Sequence, residues 1–207
     1  MKSLLKRIIK GIYFRAIRPF YFIRFYHKRL FRFILPNLIK IVQKKVTFRK
    51  FPVCNQKLLI TGEGCVSIGN KCSFGYKLGG NFYRGLIELQ PRYKQSQIII
   101  GNNVTSNNNL MLCSANYIII GDNTLIGQSV TILDHEAHGV APDKRRQLGE
   151  IGKVIIGKNV WLGNNVIILK NSEIGDNTIV AAGAVVLGKF PANVIIGGVP
   201  AKIIKNL

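Results

Sequence analysis

Three histidines occur in 207 residues, and two of them share one short stretch, Asp134-His135-Glu136-Ala137-His138-Gly139. Imidazole titrates near neutrality, which makes it the usual group for taking a proton from a hydroxyl at physiological pH. Asp134 and Glu136 stand beside these rings, and a neighbouring carboxylate can orient an imidazole and stabilise its protonated form. The alternative is a set of solvated loop side chains. Arg145 and Arg146, a little further on, offer positive charge to an anionic sugar or a phosphate, or simply face water. Zinc chemistry is poorly served. Such a site needs several converging ligands, yet the third histidine, His27, lies far back in a basic segment. The four cysteines, Cys54, Cys65, Cys72 and Cys113, form no CxxC pair. They read as small side chains in a reducing cytosol, so no metal is expected.

A general base must be held by something rigid. From Ile156 to Val186 an aliphatic residue returns every six positions: Ile156, Leu162, Ile168, Ile174, Val180, Val186. Three places after each of the first five stands Asn159, Asn165, Asn171, Asn177 or Gly183, residues that accept a left-handed corner at little cost. Four places after comes a small or β-branched side chain, Val160, Val166, Ser172, Thr178 or Ala184. A helix repeats at 3.6 and a flat strand at 2. A strict six fits a parallel β-helix of three short strands per turn. Less regular hexads, with a register slip between Ile118 and Ile120, extend the solenoid back to about Leu58, interrupted by an irregular stretch from Tyr76 to Gln97. The histidines fall in the one conspicuous gap, a loop extruded over residues 134–153. The tail after Gly188 leaves the pattern and is expected to cap the last coil, which otherwise exposes open strand edges.

Charge divides the chain. Of 30 Lys and Arg in a protein of net charge +21, half lie in residues 1–50, and the first acid is Glu63. Apolar pairs at Leu4-Leu5, Ile8-Ile9, Ile12-Tyr13, Ala16-Ile17 and Phe20-Tyr21 alternate with Lys and Arg, as in an amphipathic helix with a basic face. Further helical stretches are expected from Phe22 to Ile34 and from Leu38 to Val46. Three roles fit this front end: docking on an anionic membrane surface, packing on the solenoid, or binding nucleic acid. No nucleic-acid motif is present, and the segment is apolar for a solvated basic arm. No signal peptide and no apolar run of membrane-spanning length is evident. The expected organisation is a helical segment over 1–50 followed by a solenoid domain over 51–207.

Ile120-Gly121-Asp122-Asn123, the Asp-and-His loop, Val160-Trp161-Leu162-Gly163, Ala182-Gly183-Ala184-Val185-Val186 and Gly198-Val199-Pro200-Ala201-Lys202 follow in this order. Over about Ile98 to Lys205 the chain thereby resembles the hexapeptide-repeat sugar O-acetyltransferases, the group of maltose, galactoside and surface-polysaccharide acetyltransferases. The resemblance implies an all-β solenoid, a left-handed parallel β-helix with an N-terminal basic amphipathic segment and a short C-terminal cap. It implies acetyl-CoA as co-substrate, a homotrimer with sites between subunits, and a sugar or polysaccharide acceptor. It implies that a loop histidine deprotonates the acceptor hydroxyl, His138 being the match and His135 the second choice; Asp134 or Glu136 would be the acid that orients the ring. It assigns Trp161, Gly163, Asn164 and Ala182 to the pantetheine and thioester. It assigns Lys202 and Lys205, with Lys189 one position out of register, to the CoA phosphates, and Asn108 to the acceptor. A polysaccharide role also implies a cytoplasmic protein held peripherally on the inner membrane. Amino-sugar N-acylation, a zinc solenoid and a solenoid without activity are the alternatives.

Overall fold

A period of six gives a three-sided coil in which each side sends alternate residues inward and each corner turns on one left-handed residue. The computed structural model, which describes Ile23 and residues 26–207, is built of such coils. Three parallel sheets make the walls of a prism. The first wall has seven strands: Val46–Phe48, Cys65–Ile68, Gln97–Ile100, Tyr117–Ile120, Lys153–Ile156, Ser172–Ile174 and Lys189–Phe190. The second has eight, from Val53–Cys54 through Thr105–Ser106, Leu125–Ile126, Trp161–Leu162 and Ile179–Val180 to Val194–Gly198 and the antiparallel Ala201–Asn206. The third has six: Leu58–Ile60, Ile87–Pro91, Met111–Ser114, Thr131–Leu133, Ile167–Ile168 and Val185–Val186. It is the left-handed parallel β-helix that the resemblance implied.

The hexads map onto this geometry residue by residue. Ile156, Leu162, Ile168, Ile174, Val180 and Val186 are all buried, as are Val160, Val166, Ser172, Thr178 and Ala184. The corners at Asn159, Asn165, Asn171, Asn177 and Gly183 all have positive φ. Stacked aliphatics stabilise the prism by roughly 1.5–3 kcal/mol for each fully buried side chain. The two core hydroxyls in the series give no loss, because Ser172 Oγ donates to the carbonyl of Val186 at 3.2 Å and Thr178 Oγ1 to that of Pro191 at 3.1 Å. Glycine follows the aliphatic where coils approach closely: a Cβ on Gly163 would stand 2.6 Å from the backbone nitrogen of Ala182.

Several expectations need correction. The prism begins at Val46, which pairs with Val66, so the first coil starts before residue 51 and before Leu58, and Val46 is strand rather than helix. The slip between Ile118 and Ile120 is a longer strand, Tyr117–Ile120, that buries both side chains. The stretch from Tyr76 to Gln97 is irregular only at first, since Ile87–Pro91 is a regular strand of the third wall. The tail, by contrast, caps the last coil as expected, with the edge strand Ala201–Asn206 turning back on Val194–Gly198.

The apolar pairs before Phe22 lie outside the described residues. Residues 26–42 are helical, with a wide π turn at Leu30–Ile34, a tight turn at Leu35–Asn37 and a short α-helix at Leu38–Val42. This segment closes the near end of the prism. Buried Asn37 donates Nδ2–H to the carbonyl of Leu58 at 2.8 Å and accepts the N–H of Ile60 at 2.7 Å, satisfying the open edge of the third wall as another strand would. Phe33, fully buried, packs edge-on against Phe48 and Phe51.

Candidate active site

The extruded loop is a folded hairpin. Its limbs join through Glu136 N–H to the carbonyl of Glu150 (2.9 Å), Gly149 N–H to that of Glu136 (3.1 Å) and Gly139 N–H to that of Gln147 (2.9 Å). Lys170, on the prism, pins both limbs by pairing with Glu136 at 3.4 Å and Glu150 at 2.6 Å. The Lys170 hydrogen bond holds the Glu150 carboxyl below the usual carboxylate range and raises the Lys170 ammonium in return. The tip, with Arg145 and Arg146, is exposed.

Asp134 roots the hairpin. Fully buried, its carboxylate accepts from Ser114 Oγ at 2.6 Å, from the N–H of Ala115 at 2.7 Å, from the N–H of Asn116 at 3.0 Å and from Nδ1 of His135 at 2.9 Å. His135 is therefore buried, and its other ring nitrogen faces a guanidinium nitrogen of Arg92 at 3.4 Å. Arg92 continues the chain to Gln90 (3.2 Å), which takes the Cys113 thiol at 3.1 Å. Burial pushes that thiol up from its ordinary range. Sequence reasoning missed Arg92, Gln90 and Ser114, which carry no hexad signal and come close only through stacking of the third wall.

His138 has the opposite surroundings. Its ring is exposed, and Nδ1 donates to the carbonyl of Arg145 at 2.7 Å across the hairpin. That bond requires a proton on Nδ1, so in the neutral ring Nε2 is the acceptor, the form a general base needs. Of the two imidazoles, His138 is the exposed one, while His135 is held in the loop root.

The residues assigned to the second substrate gather elsewhere. A groove of about 330 Å³ runs over the second wall, lined by Tyr76, Asn107, Leu125, Trp161 and Asn164 among others. Trp161 is 54% exposed and shares one outward row with Leu125, Ile179, Ile195 and Lys205. At the corner that follows this wall, the side chain of Asn164 takes the N–H of Gln128 at 2.8 Å. Ala182, one coil on, has no oxygen to do the same for Asn164. Among the described residues, the N–H groups of Asn164 and Ala182 meet no acceptor, and both residues are exposed. They are ready donors for an amide or a developing oxyanion. The N–H of Gly163 is not, because it closes the inter-coil ladder to Val180 at 2.8 Å.

Two further assignments fare differently from the expectation. Asn108 is fully buried, and its amide is consumed by the chain: Oδ1 accepts the N–H of Tyr76 at 2.9 Å, and Nδ2 donates to the carbonyls of Tyr76 and Gly80, both at 2.9 Å. It anchors the insertion at residues 76–85 and presents nothing to an acceptor; its neighbour Asn107 lines the groove. Lys189 lies on the first wall, paired with Glu173 at 3.1 Å, whereas Lys202 and Lys205 are exposed on the last strand of the second. The three lysines do not form one cluster. His27 stacks on Phe31 in the helical cap, and among the described residues no three metal-ligating side chains converge.

The hairpin and the groove lie on different parts of one chain. The hairpin leaves between the third wall and the first, while the groove with its open N–H groups lies on the second wall and the corner after it.

Comparison with known proteins bears on this arrangement. Residues 153–188 match the family model for the bacterial transferase hexapeptide (six repeats). The chain is 32% identical over 191 residues to a putative lipopolysaccharide biosynthesis O-acetyl transferase, WbbJ, of Escherichia coli K12, covering 84% of this chain and 91% of that protein. It is 39% identical over 114 residues to the galactoside O-acetyltransferase of the same organism, spanning about half of each (54% and 55%). Among solved structures, the N-acyltransferase AntD of Bacillus cereus, with dTDP and 3-hydroxybutyryl-CoA, superposes with a TM-score of 0.59 at 20% identity, over 82% of this chain and 87% of that one. The polySia-specific acetyltransferase NeuO gives a TM-score of 0.52 at 19% identity, over 79% and 81%. These two likenesses are of fold.

Proposed function

The chain belongs to the hexapeptide-repeat acyltransferase family, and from that premise we propose that it transfers the acetyl group of acetyl-CoA to a sugar hydroxyl of a surface polysaccharide or its precursor. The observation that carries the reading is His138, whose Nδ1 is tied to the carbonyl of Arg145 while Nε2 stays open.

Acetyl-CoA supplies the acetyl group as an activated thioester. Nε2 of His138 takes the proton of the acceptor hydroxyl as its oxygen bonds to the carbonyl carbon, and returns that proton to the sulfur as the carbon–sulfur bond breaks. Atoms balance without a metal or an outside acid. The N–H groups of Asn164 and Ala182 suit negative charge collecting on the carbonyl oxygen, a kind of stabilisation that often exceeds the base's own contribution. Trp161 and the groove beside it suit the apolar pantetheine arm, and Lys202 and Lys205 suit the phosphates. Arg145 and Arg146 at the hairpin tip suit an anionic acceptor.

The separation of the hairpin from the groove supports an oligomer. In a ring of parallel prisms the hairpin of one copy can lie over the second wall of the next, and a homotrimer completes three sites. The basic front end over residues 1–50 supports a peripheral place on an anionic membrane surface at the cytoplasmic face, where lipid-linked sugars and acetyl-CoA can meet.

Free thiol released from acetyl-CoA in the presence of candidate glycans measures the reaction. His138→Ala lowers kcat by about 10²–10⁴-fold, the usual contribution of a positioned base, with little change in melting temperature. A His138→Ala enzyme that turns over at the wild-type rate refutes the assignment.

A further inference from the structure

The helical cap has two apolar faces, and the prism uses one. Phe33, Ile34 and Ile41 turn inward with Asn37 and pack on the first coil. On the opposite side Phe31, Leu35, Leu38, Ile39 and Val42 succeed one another at steps of four, three, one and three. Through the wide π turn, the tight turn and the short helix these positions all stay on the solvent side. These five side chains keep between 47% and 73% of their surface exposed. Single exposed apolar residues need no explanation, but a contiguous row does.

The surroundings of the stripe are basic. No acid precedes Glu63 in the sequence. Lys44 is exposed two residues after Val42, Arg49 and Lys50 are exposed where the chain leaves the first strand, and Lys40 and Lys45 reach the carbonyls of Gly62 and Glu63 at the rim. Apolar side chains framed by Lys and Arg match an interface of anionic headgroups over acyl chains. No helix among the described residues is long and apolar enough to cross a bilayer.

We propose that this outward stripe and its basic rim dock end-on against an anionic lipid surface, so that the prism stands on the membrane by its capped N-terminal end. This sharpens the membrane placement given above, which assigned the contact to residues 1–50 as a whole: the inner face of the cap is committed to the prism, and the outer stripe makes the contact. The geometry also sets a height. The hairpin follows Thr131–Leu133, the fourth strand of the third wall. Three strand spacings separate it from the capped end, roughly 14 Å, and the helix itself adds about 10 Å. His138 then meets sugars held off the bilayer, as on a lipid-linked acceptor, rather than groups at headgroup level; this clause rests on the acetyltransferase reading.

The test is flotation of the purified full-length protein with vesicles of phosphatidylcholine alone and of phosphatidylcholine and phosphatidylglycerol in equal parts. Wild type is expected to float with the mixed vesicles only. Leu38→Glu/Ile39→Glu/Val42→Glu, which leaves residues 1–30 and all the basic side chains in place, is expected to lower the partition coefficient at least about tenfold. Should that variant fold poorly, Lys44→Gln/Arg49→Gln/Lys50→Gln, on exposed side chains, is expected to show a smaller loss in the same direction. Wild type that ignores the mixed vesicles, or variants that float as wild type does, overturn the proposal. So does a triple-Glu variant that floats normally but changes its sedimentation coefficient, since the stripe is then covered by a second copy. Thiol release with a soluble acceptor is read on the same preparations. Normal flotation without acetyl transfer leaves the docking face standing and counts against the sugar-acceptor reading alone.

Discussion

Replacing Asp134 tests whether the hairpin is held by its root. The carboxylate is fully buried and accepts four hydrogen bonds, from Ser114 Oγ, the N–H groups of Ala115 and Asn116, and Nδ1 of His135. Asp134→Ala leaves four donors facing a small cavity. An unsatisfied buried donor costs about 1–3 kcal/mol. The four share one site, and water entering the cavity satisfies some of them, so the sum is not additive and about 3–5 kcal/mol is expected. In a chain of this size 1 kcal/mol moves Tm by roughly 2–4 °C, which places the variant about 6–20 °C below wild type. Asp134→Asn retains one acceptor oxygen and sets an NH₂ against a donor, giving about half that loss. Ser114→Ala removes one donor and its share of the network, about 1 kcal/mol. The order of destabilisation is therefore Asp134→Ala, then Asp134→Asn, then Ser114→Ala, read by circular dichroism melting. Glu136→Ala, which removes a half-buried pairing with Lys170 and an acceptor for the N–H of Glu150, is expected to cost about 1 kcal/mol, less than Asp134→Asn. Acetyl transfer should fall with Asp134→Ala even well below Tm, because the limb bearing His138 starts at that residue. An Asp134→Ala protein melting within a degree or two of wild type, or less destabilised than Ser114→Ala, would refute the reasoning.

Burial pushes the Cys54 thiol up to about 12, so at pH 8 almost no thiolate forms; thiolate is the reactive species. Exposed Cys65 is expected to be alkylated by iodoacetamide in the native protein while Cys54, Cys72 and Cys113 stay unmodified, as counted by mass spectrometry; modification of Cys54 at the rate of Cys65 contradicts this. Gly163→Ala drives a Cβ to 2.6 Å from the backbone of the next coil, whereas a Cβ on Gly183 meets nothing within 4 Å and suffers only its positive φ. Denaturant melts should show the former costing well over the roughly 1–2 kcal/mol expected of the latter, and equal losses would discredit the packing account. Asn37→Ala removes two bonds to the edge of the third wall and one to the carbonyl of Phe33. A loss of about 2–4 kcal/mol is expected, with hydrogen exchange accelerated first at Leu58–Ile60; unchanged protection there would count against the cap.

The walls were legible in the sequence because the information that makes them is local. Each coil needs aliphatics at fixed intervals and a residue tolerant of positive φ at each corner, and the run from Ile156 to Val186 states both in order. Boundaries were less legible. Val46–Phe48 carries too little of the repeat to be distinguished from the helical segment before it, and Tyr117–Ile120 disguised a longer strand as a break in register. The hairpin was visible as the gap in the hexads that held both histidines.

Which residues remain free for chemistry was not legible. Asn108 and Asn107 are neighbours of one type, yet one is spent on Tyr76 and Gly80 and the other lines the groove. His135 and His138 differ by three positions, yet one is locked between Asp134 and Arg92 and the other, among the described residues, bonds only the Arg145 carbonyl. The apolar residues of the cap look alike in sequence, yet the fold buries Phe33 and leaves Val42 in solvent. The sequence alone determined the prism, its corners and the place where it opens, since a period of six is satisfied turn by turn within a few residues. The tertiary structure decided which imidazole, which amide and which apolar face stay available, because a polar group is consumed or spared by partners that stacking brings from 20, 30 or more residues away, and no local pattern records those partners.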